Sequence, residues 1–235
     1  MSPSGVATAQ NHLIERLPRA DRARLLGARE SVHLELGSVL GEAGKVTRHV
    51  YFPVDGFISL VAPIDGKPAL EVGMVGREGM LGAQLVLGVA TVPLHALVQG
   101  PGAAWRIETP AFQAELARST ALQRLLNRYL YILMAQLASS AACLRFHEIG
   151  PRLARWLLMS QDRAHADSFR VTQEFLAYML GVRRVGITAS AGALQRAGLI
   201  QYHRGELTVM DRTGLEAAAC DCYANDRRAY AEVLG

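Results

Sequence analysis

Cysteine is scarce: Cys143, Cys220 and Cys222 are the only three in 235 residues. An odd count without framework spacing excludes a disulfide-stapled secreted scaffold and suits a reducing compartment. Cys220-x-Cys222 has no second cysteine pair and no HxxxH-type spacing to complete a metal centre, so the three read as ordinary thiols and no metal site is expected. The seven histidines are scattered and call for neither a catalyst nor haem. No apolar run reaches the roughly 20 residues of a membrane span. The longest, Leu130 to Leu144, carries Gln136 and Ser139-Ser140, so no membrane partner is expected. Met1 to Gln10 lacks a basic segment followed by an apolar block, so neither a secretory signal nor a transit peptide is visible, and the expected compartment is the cytoplasm. A nucleophile elbow, a Walker loop and a paired-carboxylate arrangement are missing too. Gly76-x-x-Gly79-x-x-Gly82 lacks the strand-to-helix context of a dinucleotide fingerprint, so no catalytic residue is nominated and an enzyme is not expected.

Half of the residues are apolar, and the length allows two domains with a core each. Net charge is only +4, but Arg170 to Arg212 holds six arginines against Glu174, Glu206 and Asp211, a local excess that fits a polyanion partner. Arginine outnumbers lysine 23 to 2, a bias that coding composition alone can produce, so placement carries the argument rather than number.

Apolar residues at Leu13, Leu17, Leu25 and Leu26, interrupted by Pro18, predict short helices. Between Val32 and Ile107 short alternating or apolar runs are punctuated by Gly37, Gly44, Asp55-Gly56, Asp65-Gly66, Gly76 and Gly100-Pro101-Gly102, the pattern of a compact antiparallel barrel or roll. After Thr109-Pro110 no glycine occurs until Gly150, which leaves room for a helix of about ten turns over 111–146. One stripe runs through Leu126, Leu130, Leu133, Leu137, Ser140 and Leu144, and a second through Leu122, Leu125, Tyr129 and Ile132. Two adjacent stripes let the helix touch its own roll on one side and a second copy on the other, so a homodimer is expected. Gly150-Pro151 should break that helix, placing a domain boundary between 147 and 148.

Thr172 to Leu194 has the residues that two short helices joined by a tight turn require. Leu176, Leu180, Val182 and Ile187 would face a shared core, Ala177 is small where the helices approach, and Gly181 can take the positive φ of the turn. Gly198 ends the second helix. Leu199 to Tyr202, the turn His203-Arg204-Gly205 and Glu206 to Met210 follow as a two-stranded wing. This pattern reads as a DNA-binding winged helix-turn-helix, with double-stranded DNA as the partner.

Glycine-punctuated strands, a long helix and a winged helix-turn-helix, in that order, resemble the Crp/Fnr superfamily of bacterial transcription regulators over nearly the whole chain. Gly37-Ser38-Val39-Leu40, Gly44, Tyr51 and Gly56 resemble the turn skeleton of the family's cyclic-nucleotide-binding roll, and Gly76-Arg77-Glu78-Gly79-Met80-Leu81-Gly82 resembles the opening of its phosphate-binding cassette. The resemblance implies an α+β fold: an N-terminal antiparallel β-roll with a dimerisation helix (11–147), then a winged helix-turn-helix (148–235). It also implies effector contacts at Gly76 to Gly79. No Arg or Lys lies between Glu78 and Trp105, however, and a buried phosphate without a cation costs several kcal/mol. Cyclic AMP in the usual pose is therefore not expected, and the effector stays open.

In the family geometry the start of the recognition helix enters the major groove. The resemblance then implies that Arg184 pairs with a guanine, with Arg183 beside it and Thr188 one turn on. Thr172 and Gln173 at the start of the first helix, and Arg204 in the wing, would sit on phosphates, and RNA polymerase is a further expected partner. A rival reading keeps the fold but makes the chain a sensor or scaffold acting through protein partners. It draws on Gly186, Ala189, Ala191 and Gly192, which leave the recognition helix poor in long polar side chains.

Overall fold

The computed structural model describes residues 11–64, 69–164 and 166–235. The chain opens with α1 (His12–Glu15) and α2 (Arg19–Gly27), continues through β1 (Glu30–Leu34), β2 (Val39–Gly41), β3 (His49–Pro53), β4 (Phe57–Ala62) and β5 (Leu70–Val75), and after a short 3-10 turn (Ala83–Leu87) closes the strand-rich part with β6 (His95–Gly100) and β7 (Gly102–Glu108). Two antiparallel sheets result, in the orders β1-β7-β3 and β2-β6-β4-β5. Leu34, Tyr51, Ile58, Leu60, Val75, Val98 and Ala104 pack as one core inside them, which is the expected roll. At the Asp55-Gly56 turn Gly56 takes φ +74°, and a Cβ there would stand 2.2 Å from the Gly100 carbonyl oxygen, so no larger residue fits. The expected Asp65-Gly66 turn and the first ten residues lie outside the described residues.

The ten-turn helix is two helices. α3 (Thr109–Arg118) and α4 (Thr120–Phe146) meet at Ser119, whose backbone is extended (φ −113°, ψ 102°) and whose hydroxyl accepts from Leu122 N, capping α4. A serine hydroxyl satisfies one of the orphan amides at a helix start, and that local bond outcompetes continuation. α4 spans 27 residues, about 40 Å. By length and composition it is long and apolar enough to cross a membrane, but Leu122, Leu126, Tyr129 and Ile132 are buried against the rest of the chain.

α5 (Ile149–Ala164) begins two residues before Pro151. The break falls at His147, which is extended (φ −105°, ψ 145°). Pro151 occupies the first turn of α5, where its missing amide donor is no loss. There follow β8 (Ser168–Arg170), α6 (Gln173–Met179), α7 (Arg184–Arg196), β9 (Ile200–His203), β10 (Glu206–Val209), α8 (Arg212–Ala218) and α9 (Cys222–Leu234). The wing has three strands, β8-β10-β9, one more than the expected pair. Leu153, Leu157, Leu176, Ile187, Leu207 and Leu215 form the second core, which Phe57 and Met74 of the roll also join. α9 returns to α4, and Leu234 enters the core built by Leu13, Phe112 and Leu126.

Candidate nucleic-acid interface

α6 starts where Thr172 leaves helical geometry (φ −92°, ψ 154°) and its Oγ1 accepts from Phe175 N at 3.1 Å. At the other end Gly181 adopts φ +62°. Its amide donates to the Tyr178 carbonyl, and the Val182 amide donates to Ala177 O. The chain thus turns within four residues, and Arg183, extended at φ −74° and ψ 144°, stands at the threshold of α7. Ile187, Ala191 and Leu194, at positions i, i+4 and i+7, sink into the core and fix which face of α7 points outward. Arg183, Arg184, Val185 and Thr188 are on that outward face, all exposed. Gly186 answers to packing: a Cβ there would lie 2.6 Å from Ile149 Cδ1.

The Thr188 hydroxyl lies 2.6 Å from Gln173 Oε1 and 3.1 Å from the Arg184 carbonyl oxygen, with one proton to donate between them. The two helices are therefore linked at the surface by two of the nominated residues. Across from them, Arg204 (φ +49°) and Gly205 (φ +82°) make the two-residue turn of the β9–β10 hairpin. Thr172, Gln173, Glu174, Arg184, Tyr202, Arg204 and Gly205 line one open groove of about 390 Å³. Four of the six nominated DNA-contact residues share it, while Arg183 and Thr188 do not line it. Glu174 and Tyr202 were not nominated. The Tyr202 hydroxyl donates to Val171 O at 2.8 Å and so braces the wing; burial pushes its pKa up, and the Arg184 guanidinium opposes that shift.

Among the described residues no carboxylate lies within ion-pair distance of Arg183, Arg184 or Arg204. Arg212, counted with them in sequence, is instead an internal brace: it pairs with Asp162 at 2.8 Å and Glu216 at 3.0 Å. The free cations of the wing and the recognition helix thus gather on one face.

The loop at Gly76 to Gly79 is engaged elsewhere. Glu78 Oε1 accepts from Gly76 N at 3.1 Å and from Arg163 Nε at 2.8 Å, which ties the loop to α5. Gly79 is pressed against Tyr129, whose hydroxyl would meet a Cβ at 2.2 Å, and the Tyr230 hydroxyl of α9 donates to the Glu78 carbonyl oxygen. Arg77 and Glu78 border a cavity of about 370 Å³ that runs between the loop, α4, α5 and α9, at the joint rather than inside the roll.

The thiol reading needs correction in one respect. Cys220-x-Cys222 is not isolated: Cys143 and His147, four residues apart at the end of α4, come to it, and the four ligand atoms all lie within 4.8 Å of one another. The tertiary fold supplied the ligands that local spacing around Cys220 did not.

Residues 151–218 match the Crp-like helix-turn-helix domain family. In structure the chain is similar to FixK2 from Bradyrhizobium japonicum (12% identity, 82% of this chain and 98% of that one covered, TM-score 0.64). It is also similar to CLP, the c-di-GMP-responsive global regulator of Xanthomonas campestris (19%, 83% and 100%, TM-score 0.60), and to a CRP-family transcriptional regulator from Thermus thermophilus (20%, 80% and 96%, TM-score 0.60). No curated protein matches it in sequence. The molecule is therefore a cyclic-nucleotide-binding-like roll joined to a Crp-like helix-turn-helix. The Crp-like helix-turn-helix domain over residues 151–218 marks the chain as a DNA-binding transcription regulator, and the fold around that domain is the one these solved regulators share.

Proposed function

We propose that the chain acts in the cytoplasm as a homodimer on an inverted-repeat DNA site, with residues 11–147 as the dimerising and sensing unit and 148–235 as the reading unit. The observation that carries this is the exposed Arg184 in the first turn of α7, without a carboxylate partner among the described residues and facing a groove whose far side is Arg204. In this reading α7 enters the major groove. Arg184 forks onto guanine O6 and N7, Arg183 stands beside it, and Thr188, its hydroxyl held by Gln173, offers its methyl to a base edge. The Thr172 and Gln173 region and Arg204 take phosphates on either side and set the register. The recognition helix has few long polar side chains, so DNA shape supplies part of the discrimination.

Support for the dimer comes from α4. Tyr131, Met134 and Phe146 are 58%, 63% and 75% exposed, and Ala138 and Ala141 continue the line of Tyr131 and Met134 at heptad spacing. This outward line lies beside the two stripes read from sequence. Leu122, Tyr129 and Ile132 of those stripes are buried within the chain, and Leu130, Leu133, Leu137 and Leu144 are half-buried. Two copies paired along this line would set their recognition helices about 34 Å apart, one turn of DNA.

Control by cyclic AMP in the usual pose is not part of this reading. In the Gly76 to Gly79 effector region, Arg77 and Glu78 form part of the wall of the cavity at the joint, where a ligand would act on the Glu78–Arg163 link. RNA polymerase is the further partner that a promoter-bound regulator of this kind would meet. The test is selection of binding sites from random duplexes with the full-length protein. The reading expects enriched inverted repeats bound by two chains; enrichment of no sequence would refute it.

A further inference from the structure

We propose that Cys143, His147, Cys220 and Cys222 form a site for a single thiophilic divalent cation, zinc foremost, that clamps the end of α4 to the start of α9. The four ligand atoms lie close enough together to close around one ion, all within 4.8 Å of one another. Cys143 Sγ and Cys220 Sγ are 3.5 Å apart, and Cys222 Sγ lies 3.6 Å from His147 Nδ1. A metal with bonds of roughly 2.3 Å to sulfur and 2.0 Å to nitrogen needs neighbouring ligand atoms about 3.5 to 3.8 Å apart. Two of the pairs meet that spacing, and three sulfurs and an imidazole all within 4.8 Å of one another fit around one ion; an iron–sulfur cluster, with several irons inside the ligand shell, needs them farther apart. All three cysteines are buried, as a structural centre requires.

The surroundings supply an independent reason. Three thiolates and a neutral imidazole around a divalent ion leave one net negative charge, which a buried site must offset. Arg152 is buried, and among the described residues it has no carboxylate partner: its guanidinium donates to the Leu180 carbonyl oxygen and faces Cys143 and Cys220. Arg155, also buried, pairs with Asp226 at 2.7 Å, and its Nε has no hydrogen-bond partner. Arg155 already has its carboxylate, but the Arg152 guanidinium beside the thiols is poorly compensated if they stay protonated, and well compensated if they hold a metal as thiolates.

The position gives the centre a consequence. His147 is the hinge residue between α4 and α5, and Arg152 links the same corner to the last turn of α6. An ion here would fix the helix-turn-helix relative to the long helix.

The test uses the full-length protein, reduced and stripped with a chelator, titrated with Co²⁺ alone and then with Zn²⁺. One Co²⁺ per chain should bind, with the sulfur-to-metal charge-transfer and strong ligand-field absorption of a tetrahedral site, and Zn²⁺ should displace it. Cys220→Ser and His147→Ala should each weaken binding by more than about tenfold. If these variants fail to fold, the wild-type spectrum and stoichiometry still decide. Weak octahedral absorption, no uptake, iron with acid-labile sulfide, unchanged affinity in well-folded variants, or a Cys143–Cys220 disulfide that persists in reducing buffer would each overturn the assignment.

Discussion

The indole Nε1 of Trp156 donates to Glu71 Oε1 at 2.9 Å, so a residue of α5 in the DNA-binding unit is fastened to β5 of the roll. Burial holds the Glu71 carboxyl far above the usual carboxylate range, at about 7, although Ser59 and Trp156 both donate to it and Arg163 and Arg155 stand near. The folded form therefore binds a proton that the unfolded chain releases at lower pH. That contribution to stability is fully present below the unfolded carboxylate pKa and is lost as pH rises through about 7. Thermal melts from pH 5 to 8 should show the parent losing stability relative to Glu71→Gln across this window. Parallel curves for the two proteins would show that the buried carboxyl does not titrate there.

Gly181 should not tolerate a side chain. Its φ of +62° strains any L-residue, and a Cβ would stand 2.7 Å from Leu70 Cδ1 of β5. Gly181→Ala is expected to cost on the order of 1 to 2 kcal/mol in urea unfolding. A change within a few tenths would mean that the turn relaxes freely.

Much of this was legible beforehand because it is local. Leu176, Ala177, Gly181 and Ile187 specify the helix-turn-helix by size and backbone freedom alone, and Asp55-Gly56 marks its turn without help from the rest of the fold. The helix break at Ser119 was also signalled, by a capping serine, but a run free of glycine masked it. The metal-type cluster was half visible: Cys143 and His147 are one helical turn apart, a ligand spacing in its own right, yet their meeting with Cys220-x-Cys222 depends on α9 folding back along α4. The engagement of Glu78 by Arg163 and of Gly79 by Tyr129 is tertiary in the same sense, and no pattern near residue 78 foretells it.

The exposed line on α4 predicts the assembly. Tyr131→Glu with Met134→Glu should shift the protein from dimer to monomer in sedimentation velocity, since charges facing each other across the helix pair are destabilising. DNA affinity for a full inverted repeat should fall with it. A dimer that survives both substitutions would place the contact elsewhere.

Arg204 and Arg184 should behave differently. Arg204→Ala removes a cation from the wing tip and is expected to weaken all duplexes alike, lowering the slope of log affinity against log salt by about one. A loss confined to one sequence would make Arg204 a base reader.

The most direct measurement is the affinity of Arg184→Ala for the selected inverted repeat and for its single-base variants, at fixed salt, by fluorescence anisotropy. A loss of about 1 to 3 kcal/mol together with relaxed preference at one base position is the predicted result. Affinity and preference indistinguishable from the parent would contradict the placement of α7 in the major groove.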